Sequence, residues 1–578
     1  MNRTRRAFFI IMGLTVAGVA VILANSEQGL LGSGSLNPTT IMGIEPVHLT
    51  IASSVTKKKW LDAAAKEFVA QGIQTKSGKP IGIDITGELS GDSMLNLLNG
   101  ELRPVVWSPG EDSWVAQFRD RWSEQRSRPA MAGPCKSTIY TPAGLAMWRP
   151  MAEALGWPGK KIGWKTIIDL AADPEGWARY GHPEWGKLKL GHTHPQYSSA
   201  GLLFLTSVIY GLTGQTSGLK AEQIYDQRVE HALSAIAKHT AKYGMVTTDL
   251  FKLMAQQGPD FLHVVAAFEE GVVRFNLEHG QELRWPLVFV FPSEGTFWSE
   301  HPYCILDGTD WVSPEQAEAA RLFLNFVLAK EQQSNAVQYM LRPLDSKVPV
   351  ASPLAMENGT DPSARPETVP AFQVPDAGTS AAIIDQFRAT KRKATAMLVL
   401  DVSGSMNGEA IRAATEATAA FLKRLDPRDM VGLMVFNDSV SVVSDVQPAA
   451  TVAEGLSERV LNLVSGGGTN LHGAVCAAAN KMNDMRRADQ ASGENRLYGI
   501  ILLSDGADTA GEISENKMFQ TCLPAAVEAG GTKFFTIAFG EGAGQGVLSR
   551  IANVSGGTMF TANAVSIDQT YLKISAEQ

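Results

Sequence analysis

A short apolar run, residues 395–400 (TAMLVL), exits directly into Asp401-Val402-Ser403-Gly404-Ser405-Met406. An uninterrupted run of that length reads as a parallel strand buried on both faces. The pattern then repeats. An amphipathic helix is expected over 408–425 and a strand over 430–436. A glycine-rich loop over 465–470 opens another helix, a strand over 498–503 leads to Asp505, and a last strand covers 533–539. Strands alternating with helices predict an α/β fold with a doubly wound, Rossmann-like parallel sheet. Loops at the carboxyl ends of such strands share one edge, and Asp401, Thr469 and Asp505 all fall on it.

The donor types at that edge define its chemistry. Asp401, Ser403, Ser405, Thr469 and Asp505 offer two carboxylates and three hydroxyls, with neither His nor Cys. Such a hard oxygen set suits Mg²⁺, or another divalent cation such as Ca²⁺ or Mn²⁺. Alternate side chains of Asp-x-Ser-x-Ser converge where the strand opens into a turn. With only two carboxylates the ion keeps net positive character, so an Asp or Glu from a protein partner fills its open position. That favours metal-bridged binding over catalysis. Helix capping by Asp401 and the serines explains one motif but not three in order.

DVSGSM, the Thr of GGGTNL and the Asp of LLSDGAD resemble a von Willebrand factor A domain with a complete metal-ion-dependent adhesion site, over residues 394–570. The resemblance implies that Ser403, Ser405 and Thr469 contact the metal directly, while Asp401 and Asp505 act mainly through water. Enzymatic alternatives fare worse. A haloacid-dehalogenase-type phosphatase needs a second acid where Ser403 stands, and no Gly-x-Ser-x-Gly nucleophile elbow occurs. The chain is therefore not expected to be an enzyme.

The N-terminus bears on the compartment. Arg3, Arg5 and Arg6 precede 18 uncharged residues, 7–24, about 27 Å as a helix and just long enough to span a bilayer. Positive charge before the run and Glu27 after it favour an uncleaved signal anchor over residues 1–26, the membrane being crossed by 7–24, with a Gly/Ser-rich tether over 27–44. A cleaved signal peptide and a twin-arginine export signal stay open as alternatives. All three place the bulk of the chain outside the cytoplasmic membrane. There an oxidising setting permits one pair within each half, Cys135 with Cys304 and Cys476 with Cys522, which sequence cannot decide. A net charge of −8 and a pI of about 5.8 argue against nucleic acid as a partner, which would normally call for a basic face.

All 12 tryptophans lie between Trp60 and Trp311, and five prolines fall within 353–375. This contrast divides the exported part into a domain over 45–348, a flexible Pro-rich linker over 349–393, and the metal-site domain over 394–578. In the Trp-rich domain several short strands deliver Ser, Thr or Gly to a helix start, where free N–H groups and the helix dipole favour an anion or polar ligand. This layout, and in particular WKTIIDL…WGKLKLGHTHPQYSSAGL, resembles the extracellular solute-binding proteins of ABC importers, type II class, over residues 45–345. The resemblance implies two α/β lobes, 45–140 plus 285–345 and 141–284, with ligand in the cleft. Candidate cleft residues are Ser53, Ser54, Ser90, Asp92, Ser108, Ser198, Ser199 and Glu294. For each, capping a helix or turning the chain is the competing role. His192 and His194 are expected to shape a loop rather than bind metal, and Trp107, Trp148 and Trp298 to be core rather than ligand-stacking rings.

These features together predict a membrane-anchored extracytoplasmic binding protein with two heads. One captures or senses a small molecule or anion, and the other makes Mg²⁺-dependent contact with a protein. The alternative is the solute-binding component of an ABC-type importer with an accessory docking domain.

Overall fold

The computed structural model describes residues 45–494, 496–523, 531–540 and 545–577. The expected signal anchor and tether, 1–44, lie outside the described residues. Among the described residues no helix is long and apolar enough to cross a membrane.

The strands of the first part are β1 (Val47–Ser54), β2 (Ile81–Glu88), β3 (Val106–Ser108), β4 (Lys136–Ser137), β5 (Thr141–Trp148), β6 (Leu190–Thr193), β7 (Thr240–Gly244), β8 (Val264–Phe268), β9 (Leu287–Val290), β10 (Trp298–Ser299) and β11 (Pro302–Ile305). They form two sheets. One has the order β2-β1-β3-β11-β4, the other β10-β5-β8-β6-β7 with β9 also on β5. β5 is buried at every position, as a strand covered by helices on both faces must be. Trp107 and Trp148 are fully buried and Trp298 nearly so, so all three are core residues. His192 and His194 are likewise buried, packed among Phe204, Tyr197, Tyr243 and Phe387.

The lobe boundary differs from expectation. β9 and β10 pair with β5, so residues 287–299 belong to the second lobe, and the chain returns to the first only between Ser299 and Pro302. Hydrogen bonding of β5 to β9 and β10 outweighs the shortness of these strands, which in the sequence look like connections. The crossing is tightly built. His301 has φ 47°, accepts a 2.7 Å bond from Thr138 at its carbonyl, and meets Thr141 Oγ1 through Nε2 at 2.5 Å. The Lys57 amino group, fully buried, lies 3.3 Å from its Nδ1 and donates to the carbonyls of Ser108 and Pro109. A disulfide, Cys135–Cys304, staples the first-lobe side of this crossing.

The third sheet holds β12 (Ala394–Asp401), β13 (Met430–Phe436), β14 (Val440–Pro448), β15 (Leu497–Ser504), β16 (Lys533–Phe539) and β17 (Met559–Ala562), in the order β14-β13-β12-β15-β16-β17. Only the β13–β14 pairing is antiparallel. β12 and β15 are buried throughout, with an apolar cluster on each face of the sheet. A second disulfide joins Cys476 to Cys522.

Residues 349–393 are not a free linker. Their prolines limit regular structure, but their aromatic and aliphatic side chains find apolar surface on the second lobe. Phe372 stacks on Tyr210 at 4.9 Å, and Thr296 pairs with Ala371. Arg342 makes a two-pronged, buried ion pair with Glu269 and donates to the carbonyls of Asp361 and Ala364, which fastens the strap to both. The strap ends in the helix Ala377–Thr390, whose Asp376 cap accepts from Thr379 N–H. This helix packs on the first-lobe helix Asp112–Gln125 and on the second-lobe helices Ser199–Thr213 and Gln227–His239. Arg428 of the C-terminal domain donates to the carbonyls of Arg388 and Ala389 at its end. The C-terminal domain also touches the second lobe directly: Lys242 lies over the Phe535 ring at 4.7 Å, and Gln257 donates to Asn553 O at 2.9 Å.

Candidate functional site

At the carboxyl end of β12 the backbone turns back on its own acid. Ser403 N–H donates to Asp401 Oδ1 at 2.9 Å, and Ser504 Oγ, ending β15, donates to Oδ2 at 2.6 Å. Ser403 Oγ and Ser405 Oγ are 3.0 Å apart, and Ser405 donates to Asp505 Oδ1 at 2.8 Å. Asp401, Ser403, Ser405 and Asp505 are therefore joined in one hydrogen-bonded chain, whose first link runs through the Ser403 N–H and whose other links join oxygens. The loop with Thr469 joins through backbone: Gly404 N–H donates to Gly467 O, and Thr469 N–H donates to Thr509 Oγ1 at 2.8 Å. Gly467 sits at φ +85°, and a Cβ there would come within 2.2 Å of Asp438 Oδ2. Asp438, on the β13–β14 turn, holds Gly468 N–H at 2.8 Å, a role the sequence did not single out.

Asp401 is fully buried. Burial pushes its carboxyl up, Ser403 and Ser504 pull it back, and the nearby Asp505 charge raises it further. Among the described residues neither acid has an ion pair, and no group of three or more His, Cys, Asp or Glu gathers around one point. An ion here would depend on hydroxyls and water as well as carboxylates. Two like-charged carboxylates with hydroxyls and without a cationic partner are what a hard divalent cation fits.

The second site lies between the lobes, around a cavity of about 350 Å³. The helices Val55–Ala70, Ser90–Asn99, Ser199–Thr213 and Thr247–Gln257 all begin at its wall. Each leaves unpaired N–H groups and about half a positive charge at its first turn. The lobes are closed. Trp114 Nε1 of the first lobe donates to Ser199 Oγ of the second at 2.8 Å, and Lys59 pairs with Glu278 across the gap at 2.9 Å. A Cβ on Gly91 would lie 2.8 Å from Gln196 O.

Four of the eight sequence-predicted cleft residues line this cavity: Ser54, Ser90, Ser198 and Ser199. The other four do not. Ser53 is buried and donates to Ser54 O, and Ser108 is buried in the crossing with its hydroxyl on Pro302 O. Asp92 is half-buried where the lobes meet the C-terminal domain; burial raises its carboxyl and Lys573 opposes this. Glu294 caps another helix, accepting from Trp164 N–H and Lys165 N–H at 2.9 and 3.0 Å, because β9 pairs with β5 and carries it into the second lobe.

Sequence reasoning missed the charged wall. Glu270 and Arg274, paired one helical turn apart, line the cavity, as do Lys59, Glu88, Thr247 and Thr248. Burial pushes the Glu270 carboxyl up to about 7, although Arg274 pulls the other way. The signal was present: two acids directly after an apolar strand, in VVAAFEE, are costly to bury without purpose.

Residues 49–339 match the family described as bacterial extracellular solute-binding protein, about half the chain, and residues 396–507 match the von Willebrand factor type A domain. Inter-alpha-trypsin inhibitor heavy chain H4 of Homo sapiens is 29% identical over 170 residues, covering 28% of this chain and 17% of that protein. The H4 chain of Sus scrofa is 29% identical over 161 residues, with the same coverage. The chain thus spans only 17% of the length of these curated relatives. Among solved structures, a periplasmic thiamin binding protein is 13% identical, with TM-score 0.40, covering 63% of this chain and 99% of its own. The sulfate-binding protein SubI from Mycobacterium tuberculosis is 15% identical, with TM-score 0.38, 59% and 99%. A von Willebrand factor type A protein from Catenulispora acidiphila is 19% identical, with TM-score 0.28, 32% and 42%. The chain belongs to the bacterial extracellular solute-binding protein family and carries a von Willebrand factor type A domain after its bilobed part.

Proposed function

We propose that the protein acts outside the cytoplasmic membrane, anchored through residues 7–24, and captures a small polar ligand between its lobes. In the same reading its second head engages a protein partner through a divalent cation, Mg²⁺ foremost, held by Asp401, Ser403, Ser405, Thr469 and Asp505. The observation that carries the first half is the start of four helices at one inter-lobe cavity, where ligand oxygens replace water on unpaired N–H groups. The second half rests on the unpaired, partly desolvated Asp401–Asp505 pair within a chain of hydroxyls. A cation bound there supplies an open coordination position for a partner's Asp or Glu. Asp401 and Asp505 supply the charge, and Ser504 and Ser403 N–H hold Asp401 in place. We assign neither site a catalytic role.

Two experiments test this. Native mass spectrometry of the gently purified full chain, followed by denaturation, should release a stoichiometric small molecule; a cleft empty in that and in a broad thermal-shift screen overturns the capture role. Mg²⁺ should raise the thermal midpoint of the full chain, and Asp401→Ala should abolish that response. An undiminished Mg²⁺ response in the variant overturns the metal assignment.

A further inference from the structure

The cleft has two electrical poles, and a ligand must answer both. One pole is made of dipoles. The first turns of Val55–Ala70, Ser90–Asn99, Ser199–Thr213 and Thr247–Gln257 point free N–H groups at the cavity, and the hydroxyls of Ser198 and Thr248 lie beside them. That pole stabilises a negative group. The other pole is Glu270, whose side chain is 6% exposed; it is ion-paired with Arg274 one turn along its own helix, and Lys59 of the other lobe also acts on its charge. A carboxylate desolvated in a binding cavity favours a cation or a strong hydrogen-bond donor. Glu88 adds a second acid to the wall. An anion alone satisfies the helix ends and the cations Lys59 and Arg274 but sits against Glu270 and Glu88. A cation alone satisfies the acids but faces four positive helix ends as well as Lys59 and Arg274.

Size narrows the choice. With the lobes closed, about 350 Å³ remains. At about 30 Å³ per water, that equals roughly a dozen water volumes, more than a five-atom oxyanion fills. Phe251 and Phe268 give the wall an apolar stretch. We infer that the ligand is a small organic zwitterion, an amino-carboxylic acid or betaine of roughly ten heavy atoms, with its carboxylate on the helix ends and its nitrogen toward Glu270. This inference rests on the proposed role of the cleft in ligand capture and adds the substrate class.

The test is titration calorimetry on the full chain with four probe classes: zwitterions (glycine betaine, L-arginine, L-glutamate, L-phenylalanine), anions (sulfate, inorganic phosphate), a dication (putrescine) and a neutral polyol (glucose). The expected result is saturable 1:1 binding within the zwitterion set only. Glu270→Gln should weaken it at least tenfold, while Glu270→Asp, which keeps the charge, should retain most of it. Saturable binding of sulfate, phosphate, putrescine or glucose instead overturns the zwitterion class and leaves the cleft a capture site. Zwitterion binding indifferent to Glu270→Gln overturns the role given to Glu270. Binding by none of the probes, with no co-purified molecule in native mass spectrometry, overturns both the class and the capture role.

Discussion

Replacing Phe387 by alanine probes the strap that joins the two heads. The ring is 3% exposed and lies 5.1 Å from the His194 ring, 5.7 Å from Tyr243 and 5.9 Å from His192. Truncating a buried Phe to Ala costs about 3–5 kcal/mol, from lost transfer energy and the cavity left behind. If the strap unfolds with the lobes, the cooperative unit is residues 45–393. An unfolding entropy of about 2.1 cal/mol/K per residue then gives roughly 0.7 kcal/mol/K, so the midpoint should fall by roughly 4–7 °C. Calorimetric unfolding of the full chain measures this directly. Trypsin supplies the local readout, with cleavage sites at Arg388, Lys391, Arg392 and Lys393. In the native protein these bonds should resist cleavage, and Phe387→Ala should expose them. A midpoint lowered by less than about 1 °C, together with rapid cleavage of the native strap, would refute the packing argument and restore a free linker.

Other consequences follow from particular side chains. Glu269→Gln should destabilise the bilobed part by about 3–5 kcal/mol, because Arg342 is left buried without its charge partner; a urea midpoint unchanged from the native protein contradicts this. Glu111 is buried and its carboxyl is pushed up to about 7, chiefly by burial. Between about pH 4.5 and 7 the folded state therefore holds the proton more tightly than the unfolded chain, so this group's stabilising contribution is lost as pH rises through that window. Glu111→Gln, which keeps the shape, should accordingly gain roughly 2–3 kcal/mol relative to the native protein on going from pH 5 to pH 8; equal pH profiles would be inconsistent with the shift. Gly91→Ala places a methyl 2.8 Å from Gln196 O and 3.1 Å from Tyr197 Cα, across the lobe seam. It should open the lobes and raise the radius of gyration in small-angle scattering, and an unchanged closed profile would show that the seam tolerates the methyl.

The legible parts of this protein are those in which chemistry is local. Asp401, Ser403 and Ser405 sit within five residues, and a buried strand must end where they begin. Their cluster therefore follows from pattern alone, and Asp505 follows in the same way from the next buried strand. The four serines that do line the cleft were found because each stands within the first turn of a helix or just before it. Glu294 failed for the opposite reason. Its neighbours in sequence look like the start of a first-lobe crossing, but β9 pairs with β5 and carries it away. Glu270 was missed because its place in the cavity depends on the helix Ser199–Thr213 and on the other lobe, both distant in the chain.

The sequence alone determined the strand–helix alternation of both parts and the oxygen-rich edge at Asp401, because these depend on periodicity and on residues a few positions apart. Tertiary structure decided which cysteines pair, where the lobes divide, that the lobes close on a charged cavity, and that a proline-rich segment is a strap. Proline restricts the backbone but does not forbid burial. Whether Phe372 and Phe387 stay in water depends on apolar surface offered by Tyr210, His194 and Tyr243, more than 140 residues earlier in the chain, and no local pattern encodes that surface.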